Sequence, residues 1–199
     1  MPICDCCTLL FRVAVTALFA VLLTACATLP GVPSGQPPTR DSLADFSLEG
    51  RFSLRFDDKS YAGRLSWQHL GSRNELLLSS PFGQGLAEIV SEPQQARLTL
   101  SDGKIYEAAD AEKLTQQVLG YPLPLQQLTD WVRGRAAGGE IERDAFGRVL
   151  QLRHEAWKII YDYADDDRQS PPSSIFAENA GGLSLRLRID QWRSLSPGE

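Results

Sequence analysis

Phe46-Ser47-Leu48-Glu49-Gly50-Arg51-Phe52-Ser53-Leu54-Arg55-Phe56 decides the fold. Phe46, Leu48, Phe52, Leu54 and Phe56 fall on one parity, and Ser47, Glu49, Arg51, Ser53 and Arg55 on the other. A period of two over this length is a long strand with one face buried and one in water. After the turn Asp57-Asp58-Lys59-Ser60 the alternation resumes at 61–67, with Tyr61, Gly63, Leu65 and Trp67 together. Further short strands are predicted around Glu75–Ser79, Leu86–Val90, Ala96–Leu100 and Lys104–Ala108, separated by Gly, Pro, Asn and Asp signals. Connections this short imply antiparallel neighbours.

Two helices interrupt the strands. Asp110 caps a segment carrying Ala111, Leu114 and Val118 on one face and stopped by Gly120. Pro124 suits a first helical turn, and Leu125, Leu128, Trp131 and Val132 share a face before Gly134. Strands return at Gly139–Arg143, Val149–Arg153, Trp157–Tyr163, Ile175–Asn179 and Leu183–Trp192. The last of these puts Leu183, Leu185, Leu187 and Ile189 inward and Arg186, Arg188 and Asp190 outward. Asp41 is expected to cap a short helix over Asp41–Asp45. The fold class is therefore α+β: a meandering antiparallel sheet of about ten or eleven strands with helices on one side. A sheet so wide curls or closes, and a curled one with apolar residues inside and helices across its mouth encloses an apolar cavity.

Upstream, the apolar run 13–23 follows Arg12 and ends in Leu23-Thr24-Ala25-Cys26. It is too short to span a bilayer and has the layout of a secretory leader. An apolar residue, two small residues and then Cys form a lipobox-like site. The expected organisation is a leader over 1–25, lipidated Cys26 with a Pro- and Gly-rich tether over 26–40, and one domain over 41–199. No cofactor is expected beyond covalent diacylglycerol and an N-acyl chain on Cys26. Two signals of that kind anchor a chain stably, whereas one acyl chain does not. In the lipoprotein class that this site resembles, Asp after the Cys marks retention at the inner membrane, so the resemblance, with Ala27 here, implies the outer membrane.

Composition excludes several classes. The formal net charge of −5 gives no support to nucleic-acid binding, and it survives loss of the leader because Arg12 and Asp5 leave together. Cys4, Cys6 and Cys7 lie in the leader, so the mature chain has no disulfide and its fold rests on its core. Only His69 and His154 are available as imidazole bases, one in a predicted turn and one on a strand, and both read as surface residues. No Gly-x-Ser-x-Gly elbow, Walker loop or metal motif is present, so neither an enzyme nor a metal site is expected. Asp165-Asp166-Asp167 lacks the ligand spacing and Gly of a calcium loop and reads as a solvated turn, and Arg133 to Gly139 as a connection. Arg186 and Arg188 suit an acidic partner or anionic headgroups, but arginines on an edge strand usually only solvate it. One residue resists a bland assignment: Phe82, at the tip of Ser80-Pro81-Phe82-Gly83, where polar residues are the rule. It either folds back into a small cluster or probes a membrane or ligand.

The chain resembles the LolB family of outer-membrane lipoprotein receptors. The matching pieces run through the domain: Leu48-Glu49-Gly50-Arg51-Phe52; Gly63, Leu65, Trp67 and Gln68; Ser80-Pro81-Phe82-Gly83; Leu119-Gly120-Tyr121-Pro122-Leu123-Pro124; Leu128, Trp131 and Gly134; Trp157-Lys158 and Tyr161; Leu187, Ile189 and Trp192. The resemblance implies an incomplete, strongly curved β-barrel lidded by helices, with a cavity that takes lipoprotein acyl chains from the carrier LolA. It implies a loop, here Pro81, Phe82 and Gly83, whose apolar tip acts in membrane insertion without nucleotide. The family usually has Leu where this chain has Phe82, and Gly where it has Ala156. Phe52, Leu54, Leu65, Trp67 and Leu77 are the candidate cavity residues. The expected setting is a monomer on the outer membrane, facing the periplasm, with LolA-bound lipoprotein, acyl chains and phospholipid as partners. The alternative is a structural envelope lipoprotein that docks other components and has no cavity.

Overall fold

The computed structural model describes residues 38–136 and 138–196. The leader over 1–25, Cys26 and the tether as far as residue 37 lie outside the described residues. Eleven strands form one antiparallel sheet: β1 (Phe46–Phe56), β2 (Lys59–Leu70), β3 (Arg73–Ser79), β4 (Gly85–Glu92), β5 (Gln95–Leu100), β6 (Ile105–Ala108), β7 (Glu140–Arg143), β8 (Val149–His154), β9 (Trp157–Asp162), β10 (Ser174–Asn179) and β11 (Ser184–Ser194). Helices α1 (Ala111–Leu119) and α2 (Leu125–Val132) sit between β6 and β7 in the chain. The spatial order is β6-β5-β4-β3-β2-β1-β11-β10-β9-β8-β7, so the long first and last strands pair at the centre and the sheet stays open, with β6 and β7 as its edges.

The period-two stretch is β1. Gly50 keeps the inward parity of Phe46 to Phe56, and the β1–β11 register slips between Glu49 and Gly50. A Cβ on Gly50 would strike the carbonyl of Arg188, so only glycine lets the chains approach at this bulge. The β2 strand runs past the predicted turn to Leu70. His69, expected on the surface, is instead 7% exposed, because it continues the inward parity of Gly63, Leu65 and Trp67. The arginines at 186 and 188 also lie elsewhere than expected, since β11 is hydrogen-bonded on both sides and is not an edge.

Helix ends follow the sequence. Asp110 accepts the amide of Lys113 at 2.7 Å, and Gly120 closes α1 with φ 84°. Pro124 is the N-cap of α2, where its missing N–H costs no helical bond and its carbonyl accepts the amide of Leu128 at 2.8 Å. Asp41 caps nothing; a 3-10 turn spans Arg40–Ser42, and the Thr39 side chain makes no cap bond. Arg40, inside the expected tether, is already docked: its amide donates to Gln169 O at 2.8 Å and its guanidinium to Arg168 O at 2.8 Å.

Under β8 to β10 the core is solid. Leu152, Trp157, Ile159, Ile175 and Ala177 are buried there, with the rings of Trp131 and Trp157 5.5 Å apart. Tyr121 meets Trp157 edge-on at 6.3 Å and Phe56 at 5.2 Å. Two buried arginines pin the periphery. Arg133 donates to Leu43 O at 2.9 Å, Ala44 O at 3.0 Å and Thr129 O at 2.9 Å, and pairs with Asp130 at 2.7 Å. Arg148 pairs with Asp144 at 2.7 Å, donates to the carbonyls of Asp165 and Asp167, and lies 4.1 Å over the Tyr163 ring. The acidic run thus serves as a carbonyl clamp on Arg148, and among the described residues no His, Cys, Asp and Glu cluster suits a metal.

Candidate apolar pocket and exposed tip

A pocket of about 650 Å³ lies against the other half of the sheet, lined by residues of β1 to β5, β11, α1, α2 and the connection between the helices. Its volume is in the range of about 300–1,000 Å³ usual for ligand sites. Six adjacent strands can share one pocket only if the sheet bends round it. Phe52, Leu54, Leu65 and Trp67 all face it, joined by Leu76, Leu78, Ile89, Leu98, Leu114 and Leu128.

Leu77 does not. It is 51% exposed on the outer face, opposite Ser66, while Leu76 and Leu78 take the inward positions opposite Trp67 and Leu65. The run Leu76-Leu77-Leu78 is apolar at both parities, so sequence alone leaves the choice open. The β2 register makes it.

The pocket wall carries no Asp, Glu, Lys, Arg or His. Its buried hydroxyl, Thr115, is already engaged: it donates to Ala111 O at 2.9 Å and accepts the amide of Leu123 at 2.8 Å. That bond ties α1 to the turn leading into α2, and leaves no free polar group from Thr115 for an occupant. Deeper, the Asn74 Oδ1 accepts from Trp67 Nε1 at 3.0 Å and from His69 Nδ1 at 3.0 Å. Burial pushes the His69 pKa below its ordinary value, with nearby Arg133 acting in the same sense. The imidazole is therefore neutral at neutral pH. Burial likewise raises Tyr121, raises Tyr163 to about 12 and raises Tyr161 further. These hydroxyls stay protonated, and none stands among the pocket-lining residues. Apart from Ser60 and Tyr61 at its exposed margin, the lining is almost wholly apolar and is suited to burying hydrocarbon.

Beside the pocket stands the exposed tip. Gly83 N donates to Ser80 O at 2.9 Å and Ser80 N to Gln84 O at 2.8 Å. Pro81 occupies the corner that prefers proline, and Gly83, at φ 87°, supplies the left-handed residue that closes such a hairpin. Phe82 is thereby held 94% exposed. It has not folded back into a satellite cluster.

Comparison with known proteins gives the family. The family model described as outer membrane lipoprotein LolB matches residues 44–192, from just before β1 to near the end of β11. The chain belongs to the LolB family. It is 39% identical over 184 residues to the outer-membrane lipoprotein LolB of Dechloromonas aromatica, covering 88% of this chain and 96% of that one. It is 35% identical over 188 residues to the LolB of Azoarcus sp., covering 93% and 96%. Among solved structures, a domain from Vibrio parahaemolyticus assigned as an outer membrane lipoprotein-sorting protein shares the fold at TM-score 0.50 and 11% identity, covering 78% of this chain and 87% of that one. This LolB-family chain carries the open eleven-stranded sheet and the exposed Phe82 tip described above. Arg133, Arg148 and Asn74, which bind the domain together, carried no sequence signal beyond being polar.

Proposed function

We propose that this protein is an outer-membrane-anchored receptor that accepts lipoproteins from the carrier LolA and inserts them into the outer membrane without nucleotide. Cys26 carries the lipid anchor, and the domain, from about residue 41, faces the periplasm as a monomer. The half-barrel cavity between sheet and helices receives the acyl chains. The observation that carries this reading is the pocket of about 650 Å³ whose lining includes no charged side chain.

The energetics require such a space. Ten methylenes hidden from water are worth on the order of 8 kcal/mol, so cargo chains do not cross an aqueous compartment uncovered. Transfer needs no fuel if the receptor pocket holds those chains better than the carrier does and the bilayer holds them better still. Phe82, fully presented by the Pro81 and Gly83 turn, enters the bilayer at release.

The test follows a labelled lipoprotein from a LolA complex into liposomes. Wild type is expected to accept and deliver. Phe82→Glu is expected to accept normally and deliver at least about tenfold more slowly, since a carboxylate at the tip resists the apolar layer. A wild-type chain that takes no cargo would leave only a docking lipoprotein.

A further inference from the structure

Strand pairing builds a second surface on the outer face. Arg64 of β2 lies opposite Arg51 of β1, and Arg51 opposite Arg188 of β11, so three arginines stand side by side across three central strands. Arg186 and Arg55 extend the row along β11 and β1. All five are exposed. Like charges directly opposite one another destabilise a sheet, and this row does so in a chain whose net charge is −5. The facing acids neutralise only Arg51 of it. Asp190 pairs with Arg51 at 2.6 Å, Glu49 accepts from Ser66, and Glu178 pairs with Lys158. Among the described residues, Arg55, Arg64, Arg186 and Arg188 make no ion pair within 4.0 Å. Arg186 rests over the Phe176 ring at 5.0 Å.

The row ends at the exposed tip. Arg64 is opposite Ser79, the last β3 residue before the Phe82 turn, and outward Leu77 sits opposite Ser66, two residues along from Arg64. Arginine beside exposed Leu and Phe is the composition of a surface that rests at the headgroup boundary. An acidic protein would be met by the charge but has no use for the apolar tip beside it.

We propose that the arginine row Arg64–Arg51–Arg188 is a dock for anionic phospholipid headgroups that seats the Phe82 end of the sheet on the bilayer. This rests on Phe82 being the insertion tip. Each arginine at an anionic surface contributes about fivefold in binding, about 1 kcal/mol. With Arg51 shared with Asp190, the two unpaired arginines set a ceiling of about twenty-five-fold.

Vesicle flotation tests it, using the full chain with Cys26→Ser so that no acyl anchor dominates; the leader is common to every variant and cancels. Vesicles of phosphatidylglycerol with phosphatidylcholine are compared with phosphatidylcholine alone. Wild type is expected to prefer the anionic vesicles by at least about tenfold at low salt and to lose the preference near 1 M salt, where screening acts within about 3 Å. Arg51→Gln/Arg64→Gln/Arg188→Gln should abolish the preference, and the matching Lys variant should keep it, which separates charge from folding. Phe82→Glu should weaken binding to both vesicles and keep the preference. A wild type without preference, or a Gln variant that retains it, overturns the dock while leaving the tip intact. A Gln variant that retains preference but no longer accepts cargo from LolA assigns the row to a protein partner instead, and also overturns it. A Phe82→Glu chain that binds both vesicles like wild type removes the tip on which the dock depends.

Discussion

The carbonyl oxygen of Ser79 occupies the space that a Cβ on Gly63 would fill. This close approach sets β3 against β2 just before the Phe82 turn, so the base of the tip depends on a missing side chain on the neighbouring strand. Gly63→Ala forces the backbone apart or Ser79 aside, and overpacking of this kind costs about 1–3 kcal/mol. Urea unfolding is expected to show that loss, and cargo delivery to fall with it. A Gly63→Ala chain as stable as wild type would mean that the strands relax freely here.

The pocket makes a steric prediction. Ala87 on β4 is half-buried and faces the pocket, so Ala87→Phe adds a ring to empty space rather than to packed core. Stability should change by less than about 1.5 kcal/mol. Binding of a fluorescent fatty acid should weaken at least about tenfold. Unchanged binding would place the ligand elsewhere.

Arg133 behaves oppositely. Its guanidinium satisfies two buried carbonyls, one part-buried carbonyl and Asp130, and joins α2 to the chain entering β1. Arg133→Met keeps the length and deletes the donors, leaving those carbonyls unpaired at a cost of about 3–5 kcal/mol. Denaturant unfolding should read that loss. Near-wild-type stability would show that water replaces the guanidinium there.

His69 gives the domain a pH dependence. Burial lowers its pKa in the folded state, so between the ordinary histidine value of about 6.5 and that lower value the unfolded chain binds a proton that the native chain does not. Stability is therefore full above about pH 6.5 and declines as pH falls through and below it. Thermal melts from pH 7.5 to 5 should show a falling midpoint, with a shallower fall in His69→Gln, where the amide still donates to Asn74. Parallel slopes would assign the effect to other groups.

How much of this was legible depended on locality. The alternation of β1, the Asp110 and Gly120 helix signals and the Pro81-Phe82-Gly83 turn are encoded within a few residues, and each element formed where the pattern placed it. Phe52, Leu54, Leu65 and Trp67 line the pocket on the inner face. His69 was misplaced because a polar residue breaks a binary pattern; its partner Asn74 lies on the next strand, where strand pairing brings the two together.

By itself, then, the sequence determined an antiparallel sheet with two amphipathic helices and an apolar turn tip, because strand period, caps and turn chemistry are local properties of the chain. Only the tertiary structure decided which inward leucines meet a partner and which face a void, since a leucine has the same local signature in either place. It also decided that Leu77 points outward and that Arg64, Arg51 and Arg188 stand in a row. Those relations are set by register between strands, and register is fixed by how the whole inner face packs.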